Sequence, residues 1–391
     1  MKNSCKLIKN ANIILEDGVL ENGAIVIDNE IISAVGKLDE IKIPTNAEII
    51  DANGNFVGPG FVDIHVHGAL TYPTYVNPNE ATDYLLSHGE TTILATPDYI
   101  MTFEEFIDAI KVVRENMKTN KTIKGIYFEG PYTNPNYGCM ADLNPWRIDI
   151  PASIYEKIVD EAGDLAKVWA IAPERNDVLP FVKYAKKINP NVKFSLGHSQ
   201  ATPDQIKALG EYQPSIMVHT FNATGRVGDR GGIRGVGPDE YSLLNEDVYC
   251  ELISDSCAIH VPKELQQLLI KVKGYEKVVL ISDSMFTEET AVIPDKYKHI
   301  KDLNFDHNGG LAGSKMTLDY ATKNIMTHTG CSIDKAFYMS STAPSKAINM
   351  YDKIGSIKVG KIADFVICDK DINIKTVIQN GEIKFKEKDY E

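Results

Sequence analysis

At 391 residues, with 43% hydrophobic and 24% charged residues, the chain has the size and composition of a soluble globular protein with one large core and a smaller accessory unit. A net charge of −13 argues against a broad grip on nucleic acid or an anionic membrane, although a few local arginines would suffice for a phosphorylated ligand. No apolar run approaches the ~20 residues a membrane span needs, and Met1-Lys2-Asn3-Ser4-Cys5-Lys6 leads into no apolar signal segment. The six cysteines (Cys5, Cys139, Cys250, Cys257, Cys331, Cys368) are scattered without a Cys-x-x-Cys pair, so the expectation is a cytoplasmic protein with reduced thiols and no nucleic-acid or membrane partner.

Residues 7–15, 24–27, 31–35 and 48–51 read as short strands between Asp-Gly, Asn-Gly and Asp-Asn-Glu turn signals. Apolar runs then recur at 61–66, 91–96, 123–128, 167–171, 192–196, 215–218, 248–253 and 277–281. Amphipathic helical stretches lie between most of them, as at 103–117, 153–163, 179–188 and 262–271. Eight buried strands alternating with helices predict a parallel sheet, and eight is the closing number of a (β/α)8 barrel. The β texture returns at 355–359, 364–368 and 376–379, followed by an Asn380-Gly381 hairpin turn. The predicted architecture is an α/β protein: a (β/α)8 TIM barrel over 57–354, and a small β-sandwich assembled from 1–56 and 355–391.

Six chemically useful side chains fall at the C-terminal ends of five of the eight runs. His65 and His67 end the first, in Asp63-Ile64-His65-Val66-His67-Gly68, where a spacing of two puts both imidazoles on one face of a strand. Glu129 ends the third, His198 the fifth, His219 the sixth and Asp283 the eighth. Any one of them has an ordinary structural reading: a lone histidine is usually a hydrogen-bonded structural group, and Asp283 could simply cap a helix. Four of the nine histidines and two carboxylates at equivalent places in a repeating unit are another matter. In a barrel these ends converge on one mouth, and imidazole with carboxylate suits zinc or a similar divalent ion with a place left for water.

The motifs carry a resemblance. Pro59-Gly60-Phe61-Val62-Asp63 before the His-x-His, Glu129-Gly130-Pro131, Gly197-His198-Ser199-Gln200-Ala201-Thr202 and His219-Thr220-Phe221-Asn222-Ala223 resemble those of the amidohydrolase superfamily, and within it the N-acetylglucosamine-6-phosphate deacetylases. So do Leu311-Ala312-Gly313-Ser314, Ser341-Thr342-Ala343-Pro344-Ser345 and the run from Gly355 to Asp364. The resemblance implies that Glu129, His198 and His219 hold the main metal, that His65 and His67 keep a second position open, and that Asp283 is the catalytic acid/base. It implies one or two divalent ions, most naturally zinc, and hydrolysis of the acetyl group from a phosphorylated amino sugar in a homodimeric enzyme. It assigns substrate contacts to Asn222, Ala223 and His260, and lines the pocket with Leu311, Ala312 and Gly313. The phosphate falls to Arg230, with Arg226 and Arg234 as competitors. Where the family commonly has Lys-Gly-Ala-His, this chain has Tyr137-Gly138-Cys139-Met140, which brings Cys139 to the sugar and removes a polar contact. The loop after Ala223 is also rewritten. N-acetylgalactosamine 6-phosphate, an unphosphorylated acetylated sugar, a cyclic amide, or a non-catalytic sugar-sensing role are the alternatives.

Overall fold

The computed structural model describes residues 5–228, 231–287 and 289–388. Its centre is a parallel sheet of eight strands in sequential order: Phe61–Val66, Glu90–Ala95, Ile123–Tyr132, Ala166–Ile171, Lys193–Leu196, Ile216–Met217, Tyr249–Ile253 and Val278–Ile281. These are the eight apolar runs of the sequence, and they are buried over nearly their whole length because helices cover the outer face. The last strand returns to the first at the C-terminal end, where Asp283 N–H donates to the His65 carbonyl (3.1 Å) and His67 N–H to the Ser284 carbonyl (2.9 Å). The barrel is thus drawn closed at the end where the functional side chains stand.

Local sequence explains the helices. Phe103–Asn116 opens on a capping box in which Thr102 and Glu105 satisfy each other's backbone N–H groups. Phe106, Ala109, Ile110 and Val113, at helical spacing, then form its buried stripe. Pro203–Lys207 starts in the same way on Thr202 and Gln205. Between barrel wall and helices, Phe128 stacks on Trp169 with centroids 3.7 Å apart, and Phe181 packs edge-on against the indole.

Both ends of the chain share one further sheet of eight strands. Phe365–Cys368 pairs antiparallel with Phe56–Pro59, which in turn pairs with Cys5–Leu15. The sheet curls, since Ile31 of one end forms a bridge with Ile362 near the other. One apolar core therefore gathers Ile8, Ile13, Ile27, Val57, Phe365 and Ile378. The predicted Asn380-Gly381 turn is present, with φ of 50° and 74°, between Ile374–Gln379 and Glu382–Lys386. Residues 355–359 are not the strand expected. Gly355 takes a left-handed φ of 80°, its carbonyl accepts from Thr342 Oγ1 (2.6 Å), and Ile357 enters the terminal core from a loop.

Candidate active site

Each expected functional side chain stands where a barrel strand gives way to its loop. His65 lies in Phe61–Val66 and His67 just beyond; Glu129 lies in Ile123–Tyr132. His198, His219 and Asp283 each follow within two residues of a strand end, and all three have left-handed backbone, with φ of 46°, 23° and 48°. Such a conformation costs a non-glycine residue on the order of 1–3 kcal/mol and concentrates at active sites.

The six side chains meet. Glu129 Oε1 lies 2.8 Å from His198 Nε2 and 3.1 Å from His219 Nε2, and those two nitrogens are 3.1 Å apart. Ligands of a tetrahedral zinc at about 2.0–2.1 Å stand about 3.3 Å from one another, so the three donors fit around a single divalent ion. Glu129 also belongs to a second group with His65 and His67: His65 Nε2 is 3.5 Å from Oε1 and His67 Nε2 is 3.4 Å from Oε2. His65 Nε2 is buried without a hydrogen-bond partner, an arrangement a metal would satisfy. Asp283 Oδ1 faces both rings, 3.4 Å from His67 Nε2 and 3.7 Å from His65 Nε2.

The electrostatics follow from this crowding. Burial opposes ionisation of Glu129, but the His198 ring, the contacts from His198 and His219 and the nearby His65 outweigh it and hold the carboxyl well below its usual range. Burial likewise opposes ionisation of Asp283, and the bond from His67 with the fields of His65, His67 and His219 again prevails, so its carboxyl titrates low. Behind the donors, His198 Nδ1–H donates to the Tyr137 carbonyl (3.2 Å) and His65 Nδ1–H to Glu251 Oε2 (3.1 Å), which leaves each Nε2 for the centre.

A cavity of about 360 Å3 opens over these groups. The substrate candidates Cys139, Asn222, Ala223, His260, Leu311 and Gly313 line it; Ala312 does not, and its carbonyl instead accepts from Asn304. His260 is held by Asp255 through Nδ1 (3.1 Å), and its Nε2 lies 3.1 Å from the Gly313 carbonyl. Arg230 lies outside the described residues. Its competitors Arg226 and Arg234 both engage Glu240 Oε1, at 2.9 and 2.6 Å. Among the described residues, no lysine or arginine lines the cavity.

Three acidic residues escaped the sequence reading. Glu251 is wholly buried in Tyr249–Ile253; a charge inside an apolar run was the available signal. Asp98 lines the cavity from the loop above the second barrel strand, and burial pushes it up to about 6 against the field of His67. Asp306 accepts from the backbone N–H of Met140 (3.2 Å), Asn308 (2.8 Å) and Gly310 (2.7 Å), which ties the Cys139 loop to the hairpin of Leu303–Phe305 and Leu311–Ser314. Neither aspartate has a spacing cue.

Comparison with known proteins extends the agreement to almost the whole chain. It is 27% identical to the N-acetylglucosamine-6-phosphate deacetylase of Bacillus subtilis, covering 98% of both proteins. It is 25% identical to the N-acetylgalactosamine-6-phosphate deacetylase of Escherichia coli O157:H7, covering 96% of this chain and 98% of that protein. The solved N-acetylglucosamine-6-phosphate deacetylase of Pasteurella multocida superposes with a TM-score of 0.86 at 26% identity, over 98% of this chain and all of that one. The pattern of the amidohydrolase family itself runs from residue 56 to residue 384, through every barrel strand and every metal-ligand candidate, and the chain belongs to that family.

Proposed function

We propose that this protein hydrolyses the acetamido group of N-acetylglucosamine 6-phosphate, releasing acetate and glucosamine 6-phosphate. The observation that carries the reading is the convergence of Glu129, His198 and His219 within 2.8–3.1 Å of one another, with Asp283 facing the same centre. Deacetylases of phosphorylated amino sugars among the relatives support it at 25–27% identity over nearly full length.

An unactivated amide resists water, so the site must strengthen the nucleophile, steady the charge on the carbonyl oxygen and protonate the departing nitrogen. Glu129, His198 and His219 would hold a divalent ion, which we read as zinc and which would supply Lewis acidity and lower the pKa of water to about 7; His65 and His67 offer a second position with Glu129. Asp283, kept ionised by its histidine neighbours, takes the water's proton and delivers it to the sugar nitrogen as the C–N bond breaks. His260, at the cavity wall and oriented by Asp255, meets the substrate carbonyl oxygen with Nε2 by exchanging its contact with the Gly313 carbonyl. Asn222, Ala223 and Cys139, with Leu311 and Gly313, surround the sugar, and Arg230 receives its phosphate.

We read the protein as a cytoplasmic homodimer. All six cysteines are free, which suits a reducing compartment, and no described helix is long and apolar enough to cross a membrane. Val227, Ile233 and Val236 are 48, 73 and 44% exposed on the loop that carries the three arginines, an apolar patch that a second copy would cover. We also treat residues 1–56 with 355–391, and 57–354, as the two units of the chain.

A second reading, N-acetylgalactosamine 6-phosphate, is favoured by the Escherichia coli relative. Acetate release from both N-acetylhexosamine 6-phosphates and their unphosphorylated parents, with metal content measured on the same sample, tests the proposal. The expected order is N-acetylglucosamine 6-phosphate first, with the unphosphorylated sugars far behind. Equal rates with and without phosphate would overturn the phosphate assignment.

A further inference from the structure

Glu251 is the feature that the proposed reaction leaves unused. It is wholly buried in the seventh barrel strand, two residues before Ile253, which lines the cavity; the shared strand face places the carboxylate one layer below the cavity. Its Oε2 accepts twice, from His65 Nδ1–H at 3.1 Å and from the backbone N–H of His219 at 3.1 Å. Its Oε1 and the neighbouring Tyr127 hydroxyl are buried without a well-formed hydrogen bond, and burying a carboxylate so incompletely paired is costly. A residue needed only for packing would carry no such charge.

The two contacts reach different donor groups. His65 belongs to the set with His67 and Glu129, and His219 to the set with Glu129 and His198. We infer that Glu251 is a positioning residue that joins the two metal sites from behind, as Glu129 joins them in front, so that loading one organises the other. By accepting from Nδ1, it keeps the His65 proton on that nitrogen and leaves the Nε2 lone pair directed at Glu129 and Asp283. By accepting from the His219 N–H, it supports the left-handed backbone (φ 23°) that aims that ring inward. The inference rests on the two-ion reading of the site, and its test separates the two.

Glu251→Gln keeps the side chain's shape. Because Oε2 accepts from both His65 Nδ1–H and the His219 N–H, in Gln either the neutral amide oxygen holds both contacts more weakly or the amide N–H takes its place, both contacts are lost and the His65 ring proton moves to Nε2. Stepwise Zn2+ titration of the chelated full-length protein should show two sites in the wild type. In E251Q the weaker site should lose about 10- to 100-fold in affinity, and the tighter one, which contains His219, should weaken with it. Two sites of unchanged affinity in E251Q, or a loss confined to one site, would overturn the inference and leave the two-ion reading standing. A wild type that takes a single Zn2+ would overturn both. Should E251Q fail to fold, the imidazole 15N spectrum of the wild type decides: the His65 ring, assigned through its loss in His65→Gln, should carry its proton on Nδ1, and a proton on Nε2 would overturn the inference.

Discussion

Asp283 and His67 sit 3.4 Å apart over the mouth of the barrel, and the aspartate belongs to neither donor group. Asp283→Asn should therefore lower kcat by at least ~10²-fold, the lower end for losing a general acid/base, with metal content near wild type; near-normal turnover would place the proton transfer elsewhere. The phosphate rests on a different residue. Arg226 and Arg234 are already engaged by Glu240, whose carboxyl, despite burial, they and backbone N–H groups draw down to about 2. Arg230→Ala should accordingly raise KM for the phosphorylated sugar about tenfold or more and leave an unphosphorylated analogue almost unaffected; equal losses on both would make Arg230 a loop-supporting residue. Residues at strand ends were legible because position and chemistry coincide there. Glu251 and Asp98 were not, since the role of a buried carboxylate depends on partners far along the chain.

The loop that follows the third barrel strand is the element on which the histidine geometry leans. Tyr99 donates its hydroxyl to the Cys139 carbonyl, Asp306 takes the Met140 N–H, and the Tyr137 carbonyl accepts from His198. Gly138 sits between, with φ of 103°, where a Cβ would fall 2.5 Å from the Tyr99 hydroxyl and 2.6 Å from His198 Nδ1. Gly138→Ala should push this loop off the ring and lower kcat about tenfold or more while the melting temperature changes little; unchanged kcat would show that His198 needs no such support. The chain departs from the family pattern in this same loop, and the sequence alone showed the missing histidine without showing what the loop does instead. Helices were easier to read, because the apolar spacing of Phe106, Ala109, Ile110 and Val113 is a local signal. The segment 355–359 misled because its β-rich composition serves a loop that turns at Gly355.

At the scale of the whole molecule, the barrel was readable from the alternation of eight apolar runs with helices, and the joining of the two ends from their shared β texture, whereas the strand order and curl of the terminal sheet were not, because short strands carry no mark of which partner they choose. The donors of the main ion come from the third, fifth and sixth barrel strands, so one ion would link residues up to 90 apart in the sequence. An ion at a thousandfold excess over its Kd stabilises the folded state by about 4 kcal/mol. Exhaustive chelation should then abolish acetate release and lower the melting temperature by about 5 °C, and Zn2+ should restore both. A protein that keeps its melting temperature and activity with no transition metal bound would sink the metal reading.

The pairing of Phe56–Pro59 with Phe365–Cys368 also imposes an order of events on biosynthesis. Roughly 300 residues separate the partners, and at about 5–20 residues per second a ribosome needs some 15–60 s to deliver the second after the first. Throughout that interval Val57 and the strand around it present an open edge, immediately upstream of the strand that begins the barrel. The nascent chain is thus at its most aggregation-prone while the barrel is being made, and the edge closes only as the last few dozen residues emerge. Truncations near residue 360 should accumulate as insoluble protein or remain bound to chaperones, whatever the integrity of the barrel they still encode.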